Sequence, residues 1–231
     1  MNQENMQNYV SNYNNDTGMT TYTIPNGSLG NDTGYTLEVI APSTITSSTQ
    51  LVTYIDGEED KSWSNASNAL MNNGSNSIVV RGVNGNGYGH DAIDINAQTN
   101  IDIVSTVHDI FGGDKNNVVA YGASNGSVYA FETIAKSLEE DHGIHFSTCV
   151  NVDYYNSGSY MSDEHIKLLC DNDIKMIIVS DSSDPLRNGC RYPGYEMTSN
   201  GNNGTAIINE YPSGYSHDNK CYFPVDDGIL D

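Results

Sequence analysis

The chain is 231 residues long and carries 30 Asp and Glu against 9 Lys and Arg, a formal net charge of -21 at pH 7. A field of that sign opposes docking onto nucleic-acid phosphates or an anionic membrane face, and no apolar run approaches the roughly 18 residues a membrane span needs, which excludes nucleic acid and membrane as partners. A chain of this size can bury about 70% of its unfolded surface, enough for a single domain with a sizeable core. The start, MNQENMQNYV, lacks the basic and apolar regions of a secretory signal, so a soluble chain is expected, cytoplasmic or secreted after processing.

Only 17% of residues are charged, while asparagine, with 29 residues, is the commonest type, so much of the surface must be neutral and polar. Residues 1 to about 20 are nearly all Asn, Gln, Thr, Ser and Tyr and read as a flexible polar arm or an edge extension; a single domain is expected over 21–231. The four cysteines form no CxxC pair and have no histidine at ligand spacing, so neither a metal nor another cofactor is expected. Buried free thiols are the simplest reading, with Cys190 and Cys221 placed to pair in an oxidising compartment.

Residues 35–40 (YTLEVI) and 51–55 (LVTYI) have the β-branched and aromatic content of strands, and the second stops at Asp56-Gly57. Residues 64–71 can form a short helix. Residues 77–80 (SIVV) are a continuous apolar run of the kind buried in a parallel sheet, and a Gly-Asn loop, 82–89, follows. Ile101, Ile103, Val104, Val107 and Ile110 recur at helical spacing up to Gly112-Gly113. A strand over 117–121 (NVVAY) then leads through Gly122-Ala123-Ser124-Asn125-Gly126 into a helix marked by Val128, Phe131, Ile134, Ala135 and Leu138. Strands over 146–152 and 174–179 flank a helix containing 165–170, and 205–210 (TAIINE) closes the series. Alternating strands and helices predict an α/β fold whose mostly parallel central sheet is covered by helices on both faces.

The Gly-x-Ser-x-Gly pentapeptide at 122–126 would arise by chance about 0.2 times in a chain of this composition, so its setting decides its meaning. It stands between an apolar strand and an amphipathic helix, where a serine on a sharp turn is held above the sheet for chemistry. Side chains two residues to either side would collide with such a turn, and Gly122 and Gly126 remove them. The helix that follows points free N–H groups at the serine, and the Asn125 N–H is placed to donate to an oxyanion.

A serine hydroxyl needs a base, and the base needs an orienting carboxylate. Of the six histidines, His217 fits best, in the loop after the last strand. His142 and His145 fall at the far end of the helix after the turn, His165 lies within a helix, and His108 and His90 precede the serine. His90, in the Gly-rich loop, could line a pocket. The strand ending at Val179 runs into Ser-Asp-Ser-Ser-Asp-Pro, where Asp184 is preferred as the acid and Asp181 is the alternative, placed to cap or shape the turn.

These residues resemble the α/β-hydrolase superfamily, and within it the esterases that include esterase D, feruloyl esterases and the enterochelin-type esterases. The similarity spans about Tyr35 to Cys221. Besides the pentapeptide it rests on Tyr54-Ile55-Asp56-Gly57 followed by Trp63, on the SIVV strand, on SDSSD after a late strand, and on Gly214 to His217. The resemblance implies an α/β-hydrolase fold, Ser124 as nucleophile, His217 as base, Asp184 as acid, and a second oxyanion donor from the backbone near Glu58. The chain departs from the family at Ser127, where a second glycine is common, and in the run Glu58-Glu59-Asp60, whose charges oppose an oxyanion if they point inward. Trp63, Tyr88, His90, Tyr192 and Tyr195 are candidate substrate contacts; the tyrosines could line a cleft for a sugar or aryl group.

The expected activity is cleavage of a carboxylic ester, on a small molecule or linked to carbohydrate. The alternative is a weakly active or inert module of the same fold, serving as a binding or structural part of a cell surface or virion. A thioesterase or peptidase would use the same three residues, and the oligomeric state is not legible.

Overall fold

A computed structural model describes residues 6–55, 61–83, 93–124, 126–152, 162–179 and 206–208, with the backbone alone at 61, 62, 93–96 and 206–208. Within these lie nine strands: β1 (Val10–Tyr13), β2 (Met19–Ile24), β3 (Thr36–Pro42), β4 (Gln50–Ile55), β5 (Ser77–Val83), β6 (Asp114–Ala123), β7 (Phe146–Val152), β8 (Lys175–Val179) and β9 (Ala206–Ile208). Four α-helices accompany them: α1 (Lys61–Asn73), α2 (Ile93–Phe111), α3 (Gly126–Glu139) and α4 (Asp163–Asp171). Among the described residues no helix is long and apolar enough to cross a membrane.

The strands form one sheet in the order β1-β2-β3-β5-β4-β6-β7-β8-β9. From β5 to β9 every pairing is parallel, while β1, β2 and β3 add an antiparallel edge. The expected mostly parallel sheet is therefore present. Among the described residues of the polar segment, β1 pairs antiparallel with β2: Tyr13 with Thr20 and Val10 with Tyr22.

Because side chains alternate across a strand, each central strand supplies two cores. Leu51, Ile78, Val80, Val118, Ala120, Cys149, Met176 and Ile178 face one layer, formed by α2, α3 and α4. Val52, Tyr54, Val79, Val119, Tyr121, Val150 and Ile177 face the other, where α1 contributes Trp63, Ala66, Leu70 and Met71. Helices thus cover both faces. The apolar stripe expected on α2 is buried at Ile101, Ile103, Val104, Val107 and Ile110, and Gly112 closes the helix by donating its N–H to the His108 carbonyl at 2.7 Å. Gly112 has a φ of +87°, a conformation that favours glycine.

The strand order fixes where a site can form. The chain leaves β4 through α1 and steps outward to β5, then returns through α2 over β4 to β6 and continues through α3 to β7. With right-handed crossovers, opposite directions of travel place the helices on opposite faces. β4 and β6 are neighbours, with Ile55 opposite Gly122. Their onward connections diverge to the two faces, and this divergence opens a crevice at their C-terminal ends.

Candidate active site

Ser124 stands at that crevice, one residue past β6 and two before α3. Its φ is +53°, a left-handed conformation rare for a residue with a Cβ, so the turn holds backbone strain of about 1–3 kcal/mol at the one position the sequence marks for chemistry. The surroundings hold it there. The Ser124 N–H donates to the Val152 carbonyl at the end of the adjacent strand β7 (2.8 Å), and its own carbonyl accepts from the Ser127 N–H (3.0 Å).

Gly122 is required by space. A Cβ built on it would lie 2.5 Å from the Ser127 Cα and closer still to the Gly126 carbonyl oxygen. The first turn of α3 is thus packed directly on the end of β6, and even alanine would push them apart.

Ser127, the departure from the usual glycine, has a physical explanation. It is fully buried, and its hydroxyl donates to the Gly122 carbonyl at 2.9 Å, with the Val152 carbonyl 3.4 Å away. A residue that the family pattern marks as unusual therefore ties α3, β6 and β7 together beneath Ser124. Sequence reasoning missed this role because a serine inside a helix gives no signal of which carbonyl it reaches.

Below the crevice on the α1 face runs a row of large side chains. The rings of Tyr121 and Tyr54 stack at 4.9 Å with planes 14° apart, and the Trp63 ring lies 5.2 Å from that of Tyr54. The Arg81 guanidinium sits 5.0 Å from the centre of the Trp63 ring. Arg81 in turn pairs with Glu38, its cross-strand partner in the β3–β5 ladder, at 2.9 Å. Trp63, read from sequence as a candidate substrate contact, is only 5% exposed and packs its ring on Tyr54 and Arg81. The row joins the start of α1 to the strand that carries Ser124.

Four histidines are described, and among the described residues none lies in hydrogen-bond contact with Ser124. His108 closes α2 beside Asp109 (3.5 Å), and His142 lies 3.5 Å from Glu140 just beyond α3. His145 bonds through its backbone to Lys115, at the start of β6, while His165 on α4 reaches Glu132 of α3 at 2.8 Å. None of these contacts is with Ser124. His217, Asp184 and its alternative Asp181, the oxyanion candidates Asn125 and Glu58, and the substrate candidates Tyr88, His90, Tyr192 and Tyr195 lie outside the described residues. Of the two described thiols, Cys149 is buried and burial pushes it well above its usual range; Cys170 is raised as well, by partial burial and by Asp171, with Lys167 opposing. Neither has the depressed value of a reactive cysteine. Among the described residues no group of three or more His, Cys, Asp or Glu is arranged to hold a metal ion.

No protein-family model matches the chain, and no curated protein matches its sequence. Solved structures do. EstE1, a thermophilic carboxylesterase cloned from a metagenomic library, is similar with a TM-score of 0.60 and 13% identity over 91% of this chain and 83% of that one. Esterase B from Lactobacillus rhamnosis, inhibited by a tributyrin phosphonate, gives a TM-score of 0.58 at 13% identity over 92% of this chain and 79% of that one. MGS-M1, an alpha/beta hydrolase from a deep-sea metagenome library, gives 0.55 at 12% identity over 85% and 83%. Identities this low are a likeness of fold, and it agrees with the strand order and the strained turn: the chain has the α/β-hydrolase fold.

Proposed function

We propose that the protein is a serine hydrolase of the carboxylesterase type, in which Ser124, His217 and Asp184 cleave a carboxylic ester through an acyl-enzyme. The observation that carries this reading is the left-handed Ser124, fixed between β6 and α3 at the C-terminal ends of the strands, where the connections from β4 and β6 diverge. A strained serine on a strand-to-helix turn is the arrangement that exposes a nucleophile above a sheet, and two of the solved structures with the same fold, EstE1 and esterase B, are named as esterases.

In this mechanism His217 takes the Ser124 hydroxyl proton as the oxygen attacks the ester carbonyl. The carbonyl oxygen becomes an oxyanion, stabilised by the Asn125 N–H and a backbone N–H near Glu58. Collapse expels the alcohol, which takes the proton from His217, and leaves the acyl group on Ser124. Water, deprotonated by His217, then attacks the acyl carbonyl and releases the acid and the free serine. Asp184 orients the imidazole and stabilises its charged form.

One feature of the chain bears on the substrate. The overall charge of -21 opposes acidic esters, which favours neutral acyl groups on a small alcohol or on carbohydrate. Hydrolysis of p-nitrophenyl acetate and butyrate tests the proposal. A burst of p-nitrophenol matching the enzyme concentration, lost in Ser124→Ala, is the expected result. Turnover that persists in Ser124→Ala would place the chemistry elsewhere.

A further inference from the structure

At the opposite end of the sheet from Ser124, a groove of about 650 Å³ lies between the antiparallel edge and the C-terminus of α2. Its position follows from the topology. α2 descends from the C-terminal ends of the parallel strands to Phe111, and Met19 pairs with Pro42 where β2 begins and β3 ends. The volume is within the usual range for a small-molecule site, about 300–1,000 Å³.

None of the described residues lining the groove carries a charge at neutral pH, on a chain whose formal charge is -21. Its polar lining comes from Gln7, Thr20, Ser43 and Thr44, and among the described residues their side chains have no hydrogen-bond partner. Thr20 lines the groove although only 8% of its surface is exposed. Between these groups Tyr22 and Phe111 form an edge-to-face pair, 5.1 Å between ring centres and 63° between planes.

We propose that this groove binds a neutral carbohydrate. Among the described residues of the lining an anion would find no cation, and it would have to approach against the negative field; a cation would find no carboxylate among them. A purely apolar ligand would cover hydroxyl and amide groups without replacing their water, at about 1–3 kcal/mol for each group left unpaired. A sugar meets both requirements, since its hydroxyls donate and accept, and its C–H faces can rest on the Tyr22 and Phe111 rings. The site is separate from Ser124 and does not depend on the serine being catalytic.

Titration calorimetry on the full chain with cellohexaose, maltohexaose and xylohexaose, and with an oligogalacturonate of similar length, tests the assignment. At least one neutral oligosaccharide should bind at or below about 10 mM. Thr20→Val combined with Ser43→Ala should weaken binding tenfold or more, whereas Ser124→Ala should leave it within twofold. Thr20→Val keeps the side-chain volume; if the double variant nevertheless melts early, Thr44→Val at the same groove gives the same readout. The proposal is overturned by no binding of any neutral oligosaccharide, by oligogalacturonate binding as tightly, or by affinity unchanged in the folded variants.

Discussion

Replacing Gly122 by alanine isolates the geometry on which the candidate site depends. The added carbon would stand 2.5 Å from the Ser127 Cα, against 3.4 Å for the onset of ordinary contact, and closer still to the Gly126 carbonyl oxygen, so α3 and the end of β6 must separate by at least about 0.9 Å. The opposing atoms are backbone, and no side chain can rotate to make room. Overpacking of this kind costs about 1–3 kcal/mol, and at roughly 2–4 °C per kcal/mol for a chain of this length the melting temperature should fall measurably. A displacement near 1 Å at a reacting group is also enough to slow chemistry by about 10²-fold. Thermal unfolding and kcat/KM for p-nitrophenyl butyrate should therefore fall together. Gly143→Ala is the control: it lies beyond α3 at a φ of +68° with nothing within 4 Å, so it adds left-handed strain without a collision and should leave kcat/KM unchanged. Wild-type stability and kcat/KM in Gly122→Ala would refute the close packing of α3 on β6.

Three further outcomes are expected. Ser127→Ala, which leaves the buried Gly122 carbonyl without its hydroxyl donor, should lower stability by about 1–3 kcal/mol in denaturant unfolding, and a cost below 0.5 kcal/mol would show that the bond contributes little. Arg81→Met should cost about 1–3 kcal/mol, since it leaves the half-buried Glu38 carboxylate without its partner and removes the cation from the Trp63 ring; the double variant with Glu38→Gln should recover part of that loss, and strictly additive effects would argue against the pair. Cys149 should resist a thiol reagent until the protein unfolds. Because burial raises its folded pKa above the ordinary 9.0, its contribution to stability is complete below that pH and is lost as the pH climbs above it, so Cys149→Ala should flatten the alkaline fall in melting temperature.

The sequence made the central sheet legible because β4, β5, β8 and the second half of β6 are largely buried on both faces and rich in β-branched and aromatic residues. The turn at Ser124 was legible for a different reason: glycines at fixed spacing between a strand and a helix reflect a steric demand, and Gly122 meets it. The edge strands were harder to read. β1 is largely exposed and made of Val, Ser, Asn and Tyr, and an edge pairing held by backbone hydrogen bonds leaves little apolar pattern. The early start of β6 at Asp114 is similar, since its first four residues are polar and only partly covered. The brace of Glu38, Arg81 and Trp63 depends on the register of β3 against β5, 43 residues apart at the ion pair, which no local pattern encodes. For the same reason the packing of the Trp63 ring on Tyr54 and Arg81 was not legible from its place in the sequence.

The central claim is that Ser124 is an activated nucleophile, and covalent labelling tests it most directly. Native protein treated with a fluorophosphonate and digested for mass spectrometry should carry one adduct, on the peptide containing Ser124. The adduct should be absent from Ser124→Ala and strongly reduced in His217→Ala. Folded native protein that takes up no label, or takes it up on another residue, would contradict the account and leave the strained turn as a feature of the fold without ester chemistry.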